Sequence, residues 1–527
     1  MSVATDYSVY IDRKVAEGIF RELLQTKEAY RVFNIYGNSG TGKTCFKEHI
    51  KQKYILKNLD NYLYLDIDFE NRVLHNPINA IMHMAKELQN RYKYHFVALW
   101  KAYAILWHKR YKNSPLMYAA DLPYIDEVKK LFKIDKKGNP IVELVKGFFR
   151  DNIYKELEAL KSLDTKEIQK ELYKFFVADL SNLLKQKKFK DAIIFIDNYH
   201  LLNEKEAPTK CQRDAWIRDI IARIGKDAVT IILSREQLEW QNCNVIWKSQ
   251  AKYYKMDNFA PKDATRYLRE SGVKEDEKQK AIVNSSGSNP FWLSIAKYPF
   301  ASPIPLKTPV VKKDIFDSFL VTQNREIVSL LKVLAHTRFF NKNFIKRAVE
   351  YFGIALGTYD IDKVLKYDFI KINNGRYRLD EEFTKEIIST QTESEIKEAK
   401  VFIFSYYENI LHSLDKEIIK TTPILIDEVL EEAWHYLTLI NHDITDHIDW
   451  LNYYVDRFFM YAAWEPFIER YIKIIPKVDP TIEDNLKRLE VLYNNLAGLY
   501  ESIGEVELSK EYYNKVVQLN RPRKLSA

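Results

Sequence analysis

Short apolar runs closed by polar residues recur along the first half of the chain. "RVFNIY" ends at Tyr36, "NYLYLDID" spans Asn61 to Asp68, "DAIIFID" ends at Asp197, and "AVTIILSRE" spans Ala228 to Glu236. Unbroken apolar runs of this length, with polar residues only at their ends, predict strands of a parallel sheet covered on both faces. The segment "FVALWKAYAILW", Phe96 to Trp107, is more apolar still. It is too short to span a membrane and contains Lys101, so it predicts a buried helix.

Past the midpoint the spacing becomes helical. "KYPFASPIPLKTPVVKKD", Lys297 to Asp314, holds Pro299, Pro303, Pro305 and Pro309 and predicts a stiff linker. "NREIVSLLKVLAHTRFF" and "NKNFIKRAVEYFGI" then predict amphipathic helices, and "YDIDKVLKYDFIKINNGRYRLDEEF" a helix and a hairpin turning at Asn374-Gly375. Three helices followed by a hairpin make a winged helix. From about Ile396 the pattern is helical and aromatic to the end. "YNNLAGLYESIGEVELSKEYYNKVVQLNRP" places Leu496, Ala497, Tyr500, Gly504, Tyr513 and Pro522 in tetratricopeptide register, and Tyr454, Ala463, Phe467 and Pro476 lie 46 residues earlier. The predicted fold class is an α/β P-loop NTPase, its parallel sheet flanked by helices, followed by an all-α lid, a winged helix and a repeat-like helical domain.

Composition narrows this picture only a little. At 527 residues the chain has room for roughly three or four domains. A +8 net charge, from 81 basic and 73 acidic residues, is a mild bias that implies no nucleic-acid partner. Cys45, Cys211 and Cys243 show no metal-ligand or CxxC spacing, so structural thiols in a reducing compartment are expected. The start "MSVATDYSVY" has no signal-peptide pattern, and a cytoplasmic location is expected.

The chemistry concentrates after the first strand. Gly37-Asn38-Ser39-Gly40-Thr41-Gly42-Lys43-Thr44 fits G-x-x-x-x-G-K-[ST] without mismatch and opens a helix at Cys45. Its backbone N–H groups would cradle phosphates, Lys43 would reach the β- and γ-phosphates, and Thr44 would hold Mg²⁺. Asp197, at a strand's carboxyl end, would complete the Mg²⁺ shell, and Arg235 at the next strand tip is placed to sense a γ-phosphate. A hydrolytic site usually has a second acid just beyond the aspartate, but Asn198 follows here and His200 stands three places on. His200 is read either as a general base or as a helix-start histidine bonded to backbone.

Taken in order, these segments resemble the STAND class of signal-transduction P-loop ATPases, relatives of the AAA+ proteins, and in particular bacterial members with a winged helix and tetratricopeptide-like repeats. "YIDRKVAEGIFRELL" is similar to the segment near the adenine, with Arg13 as its basic residue. "FIDNYH", "WIRDIIARIG", "LSREQLEW", "DNFAPKDATRYLRESGV" and "SSGSNPFWLSIA" follow in the family's order, the last with a lid corner at Gly287 to Pro290. The resemblance implies bound ATP or ADP with Mg²⁺, Pro290 near the nucleotide, a mobile winged helix and ATP-dependent oligomerisation. It also implies a role in regulation or defence.

Two departures qualify this. Asn198 and His200 stand where relatives often carry an acid, which implies slow hydrolysis. Asp380 stands where relatives often place a histidine on the ADP β-phosphate, so that lock is not carried over. The expected organisation is 1–255 for the ATPase domain with a helical insertion at about 76–190, 256–300 for the lid, 314–386 for the winged helix and 393–527 for the repeats. The presumed recognition helix, Ile361 to Tyr367, has only Lys363 and Lys366 against nearby Asp360 and Asp362, which argues against DNA. The expected partner is a protein held by the carboxyl-terminal helices. The expected function is a nucleotide switch, with a DNA-binding regulator or loader and a pseudo-ATPase scaffold as alternatives.

Overall fold

The computed structural model describes residues 10–27, 30–110, 156–157, 159–203, 210–302, 304–373, 375–415, 423–459 and 465–525. Pro303, Asn374 and Ala463 of the sequence reading lie outside them, as does the Pro522 side chain. Two compact units emerge: residues 1–71 with 184–406, and residues 72–183 with 407–527.

The first unit is built on a five-stranded, wholly parallel sheet in the order β2-β3-β4-β1-β5. Its strands are β1 (Arg31–Tyr36), β2 (Tyr62–Asp68), β3 (Asp191–Asp197), β4 (Ala228–Ser234) and β5 (Ala251–Lys255). Every residue of β3 and β4 is buried, as expected of strands with helices on both faces. The sequence reading found four strands and missed β5. Its segment, AKYYK, is short and only partly buried along the β1 edge, so it lacks the apolar run that marked the others.

On one face, Phe33, Ile35, Ile193, Phe195, Val229 and Ile231 pack with Phe20 and Leu23 of helix α1 (Lys14–Gln25) and Phe46 of helix α2 (Lys43–Ile50). At the amino end of the sheet Arg31, fully buried, pairs with Asp191 and donates to the Leu23 carbonyl at 2.9 Å. Lys27 reaches the same carboxylate at 2.6 Å. Two cations on one buried acid tie β1, β3 and α1 together at the end away from the phosphate loop.

Cys211 and Cys243 correct an expectation. They are joined in a disulfide, with Cα atoms 5.5 Å apart, where the sequence reading expected free thiols. A separation of 32 residues carries no spacing signal, and only the fold brings the two together. The bridge lies beside a buried polar cluster in which Asp214 receives the Tyr199 hydroxyl, the Arg218 guanidinium and, at 2.8 Å, the Trp240 indole N–H.

After β5 come three helices, Pro261–Glu270, Asp276–Ser286 and Pro290–Phe300. The third holds Pro299 in its last turn, so the first residues of the expected linker are helical. A proline there removes one backbone bond where the helix ends anyway. Helices Lys312–Thr322, Arg325–Leu334, Lys342–Phe352 and Thr358–Val364 then lead to an antiparallel hairpin, β6 (Ile370–Asn373) and β7 (Arg376–Leu379), and to helix Glu381–Ser389. Phe369 stacks on Phe383 at 3.9 Å, and Phe340 bridges to Tyr377 through paired 2.8 Å backbone bonds, which fixes the hairpin on its helices.

The second unit is helical. Helices α3 (Pro77–Tyr92) and α4 (Val97–Arg110) share it with the carboxyl-terminal helices. Phe96 stacks on Phe176 at 5.6 Å, and the buried Asp179 accepts from the Leu99 N–H at 2.9 Å. Asn79 of α3 donates to Asp427 at 3.2 Å. At the end of the chain, Glu483–Ser502 and Val506–Leu525 pack as a helical pair turning at Gly504 (φ 79°). Of the tetratricopeptide positions, Tyr454, Phe467, Leu496, Ala497 and Tyr500 are buried, while Tyr513 is 41% exposed. Among the described residues no helix is long and apolar enough to cross a membrane.

Candidate functional site

The phosphate loop connects β1 to α2, and glycine is required where it bends. Gly40 (φ 74°) and Gly42 (φ 94°) are in the left-handed region. A Cβ on Gly40 would come within 2.9 Å of Asn289 Oδ1 and Phe291 Cβ, and one on Gly37 within 2.5 Å of the Met256 carbonyl. Asn289 caps helix Pro290–Phe300 by accepting from the Phe291 and Trp292 N–H groups, and the Phe291 N–H also donates to the Gly40 carbonyl at 3.1 Å. Pro290 therefore sits in the first turn of a helix pinned to the loop. On the other side, Arg13 donates to the Thr41 carbonyl at 2.9 Å, and its guanidinium lies 4.5 Å from the Phe259 ring centroid.

Lys43 folds back over the loop and donates to the Gly37 and Asn38 carbonyls at 2.7 and 2.8 Å. Burial lowers its pKa to about 8, with Asp197 pulling in the opposite direction. Thr44 donates to Asp197 Oδ2 at 3.3 Å, so hydroxyl and carboxylate converge as a divalent-cation shell requires. A neighbour that the sequence reading missed shares that oxygen. Lys47, four residues past Lys43 and buried, places its ammonium 3.1 Å from Asp197 Oδ2 and 4.0 Å from Asp66 Oδ1. Burial alone would raise the Asp197 pKa, but Lys47 and Arg378 hold it at about 2.

Arg235 is fixed through its backbone, whose carbonyl accepts from the Gly37 N–H at 3.1 Å, and its guanidinium pairs with Glu381. The β4 tip is braced from inside the sheet. Asn34 of β1 donates to Ser234 Oγ at 2.9 Å and accepts from the Leu238 N–H at 3.1 Å. His200 lies in a 3₁₀ turn, and its Nδ1 has no hydrogen-bond partner among the described residues. Burial, with Arg235 and Lys43 adding to it, lowers its pKa to about 4, so the ring is neutral and weakly basic near pH 7.

The largest addition to the sequence reading comes from the hairpin. Register pairs Lys371 with Arg378 and Asn373 with Arg376, so Lys371, Arg376 and Arg378 share one face. That face lines a cleft with Thr44, Lys47, Asp68 and Asp197. Arg378 reaches Glu70 at 2.7 Å, and Lys371 pairs with the buried Asp380. Asp380 also caps helix Glu381–Ser389 by accepting from the Glu382 N–H at 3.0 Å. The signal was the alternation in "KINNGRYR", where Arg376 and Arg378 fall two apart on one strand and Lys371 faces Arg378 on the other.

Parallel strands in this order, with a glycine-rich loop leading from β1 into a helix and an acid at the tip of β3, decide the architecture. The fold is that of a P-loop NTPase. No family model matches the chain, and no curated protein matches it. Among solved structures it is similar to a signal-transduction ATPase with numerous domains carrying a tetratricopeptide-repeat sensor, from Pyrococcus horikoshii. Identity there is 13%, over 98% of this chain and 78% of that one, with a TM-score of 0.43. A Walker-type ATPase of Pyrococcus abyssi shows 12% identity over 73% of this chain and 97% of that one, with a TM-score of 0.31. Cdc6p from Pyrobaculum aerophilum shows 11% over 73% and 96%, also at 0.31. The sheet order and phosphate loop of the P-loop unit, and not these likenesses, carry the assignment.

Proposed function

We propose that the chain is an ATP-binding switch of the STAND type that hydrolyses ATP slowly. The observation that carries this reading is the shared cleft. Lys371, Arg376 and Arg378 of the hairpin line it together with Thr44 and Asp197 of the phosphate site, so a change in bound phosphate is felt by the hairpin directly. Three cations on a module outside the sheet suit a phosphate-dependent clasp, because each gains or loses a partner as the anion charge changes.

In this reading the Gly37–Cys45 segment cradles the phosphates, Lys43 swings from the Gly37 and Asn38 carbonyls onto the β- and γ-phosphates, and Arg13 and Pro290 border the nucleotide. Thr44 and Asp197 would hold Mg²⁺, which supplies neutralisation of phosphate charge. The modules are taken as 1–255 with its insertion, a lid at 256–300, a winged helix at 314–386 and repeat-like helices from 393. The last recruit a protein partner, and ATP favours self-association. Arg235, now on Glu381, is the γ-phosphate sensor. The weakly basic His200 favours slow turnover.

A DNA-reading role is disfavoured by one feature. Helix Thr358–Val364 carries Asp360 and Asp362, and Asp362 pairs with Lys342 at 2.7 Å. The test is single-turnover ATP hydrolysis by the purified chain beside Lys43→Ala, with bound nucleotide identified by chromatography. Slow turnover abolished by Lys43→Ala supports the switch. An empty chain with no nucleotide affinity overturns it.

A further inference from the structure

The positions just behind Asp197 hold Asn198 and His200 in place of an acid, but the fold supplies one from the neighbouring strand. Cα register sets Asp68, the last residue of β2, directly beside Asp197, the last residue of β3. Strands in such a pair lie about 4.8 Å apart, so the two carboxylates stand side by side at the carboxyl edge of the sheet. The ladder continues past both tips, since the Phe69 N–H donates to the Asp197 carbonyl at 3.1 Å.

Asn198 fixes the pair. Its N–H donates to Asp197 Oδ1 at 2.9 Å, and its side-chain amide donates to Asp68 Oδ1 at 2.7 Å. To do both it adopts a left-handed φ of 54°, a conformation that asparagine tolerates better than most residues. Asp68 Oδ1 accepts a second bond, from the Glu70 N–H at 3.0 Å. Asp68 borders the same cleft as Thr44 and Asp197, where Lys47 and Arg378 also face it.

We propose that Asp68 is the catalytic carboxylate that orients and deprotonates the attacking water, with Asn198 as its positioning residue. The proposal rests on the ATPase reading above. The water oxygen bonds to the γ-phosphorus while the bond from that phosphorus to the β–γ bridging oxygen breaks, and its electron pair leaves on ADP. The water proton passes to the Asp68 carboxylate and from there to solvent. Asn198, which stands where the sequence led one to look for an acid, is then the bracket that holds the base.

The test compares wild type, Asp68→Asn, Asn198→Gly and Lys43→Ala for fluorescent ATP-analogue binding and for single-turnover and steady-state hydrolysis in Mg²⁺. Asp68→Asn should bind within about threefold of wild type and turn over about 100-fold more slowly, the scale of a lost general base. Asn198→Gly keeps the left-handed backbone without strain and removes only the amide, so kcat should fall about tenfold with KM unchanged. Wild-type turnover in Asp68→Asn with binding intact overturns the proposal and leaves the switch standing. Bound nucleotide with no wild-type hydrolysis above the Lys43→Ala background also overturns it. Loss of Asp68→Asn binding alone would mark the residue as structural, unless Asn198→Gly shows the kcat defect at unchanged KM. No nucleotide binding by wild type overturns the parent reading instead.

Discussion

Replacing Lys47 by methionine isolates the cation that Asp197 keeps in this structure. The side chains have similar volume, so the change removes charge with little cavity. Asp66 retains Lys51 at 2.5 Å, which leaves Asp197 as the acid stripped of its nearest partner. At 3.1 Å the gross attraction is about 5 kcal/mol for an effective dielectric of 20, and part of it is offset because the ammonium no longer needs desolvation. Protonation sets a ceiling on the penalty of the unpaired charge: neutralising a carboxyl of normal pKa at pH 7 costs about 4 kcal/mol, and at pH 5 about 1.5 kcal/mol.

The expected loss is therefore about 3 kcal/mol at pH 7 and about 1 kcal/mol less than that at pH 5, where protonation relieves part of the unpaired charge. The sign follows from the two pKa values. In wild type Asp197 is held low, so its contribution is fully present above its unfolded value and is lost as pH falls towards 2. In the variant the folded pKa is raised, so the penalty grows with pH. Urea unfolding followed by tryptophan fluorescence in EDTA, at both pH values, measures this. A loss below about 1 kcal/mol at pH 7, or one independent of pH, refutes the reasoning.

Other consequences are accessible to equally direct measurements. Arg378→Ala removes the hairpin's bond to Glu70 and should speed limited proteolysis around residues 370–380 several-fold, with the sheet core still protected. Because burial lowers the Lys43 pKa to about 8 and phosphate favours its charged form, nucleotide affinity should fall by up to about tenfold per pH unit above 8. Calorimetric titrations from pH 7 to 9.5 would show it, with proton uptake above 8. Reducing the Cys211–Cys243 bridge should cost about 4 kcal/mol from loop closure across its 32-residue separation, read as a lower urea midpoint in reductant. His200→Gln should leave the pH–rate profile unchanged between about pH 6 and 8, because a ring with pKa near 4 has no proton to lose there.

The sequence was most informative where one segment makes its own site. The loop from Gly37 to Thr44, the buried strands ending at Asp197 and Ser234, and the hairpin around Gly375 follow from local spacing alone. What it withheld depends on strands side by side. Asp68 belongs to the site only because β2 registers with β3, and Lys47 only because one turn of α2 brings it to Asp197. Lys371, Arg376 and Arg378 were readable as one face of a hairpin, but what that face covers is a tertiary fact. β5 and the disulfide failed for related reasons: an edge strand needs no apolar run, and cysteines 32 residues apart show no pairing until the chain folds.

The contact of Gly40 with Asn289 and Phe291 has an evolutionary side. Two segments some 250 residues apart in the sequence meet with no room for a methyl group between them. The loop and helix Pro290–Phe300 therefore cannot drift independently. A relative with alanine at position 40 would have to yield at 289 or 291, and one that lost the asparagine cap would loosen the constraint on the glycine. Across homologues these positions should change together or not at all, a covariation visible without any further structure.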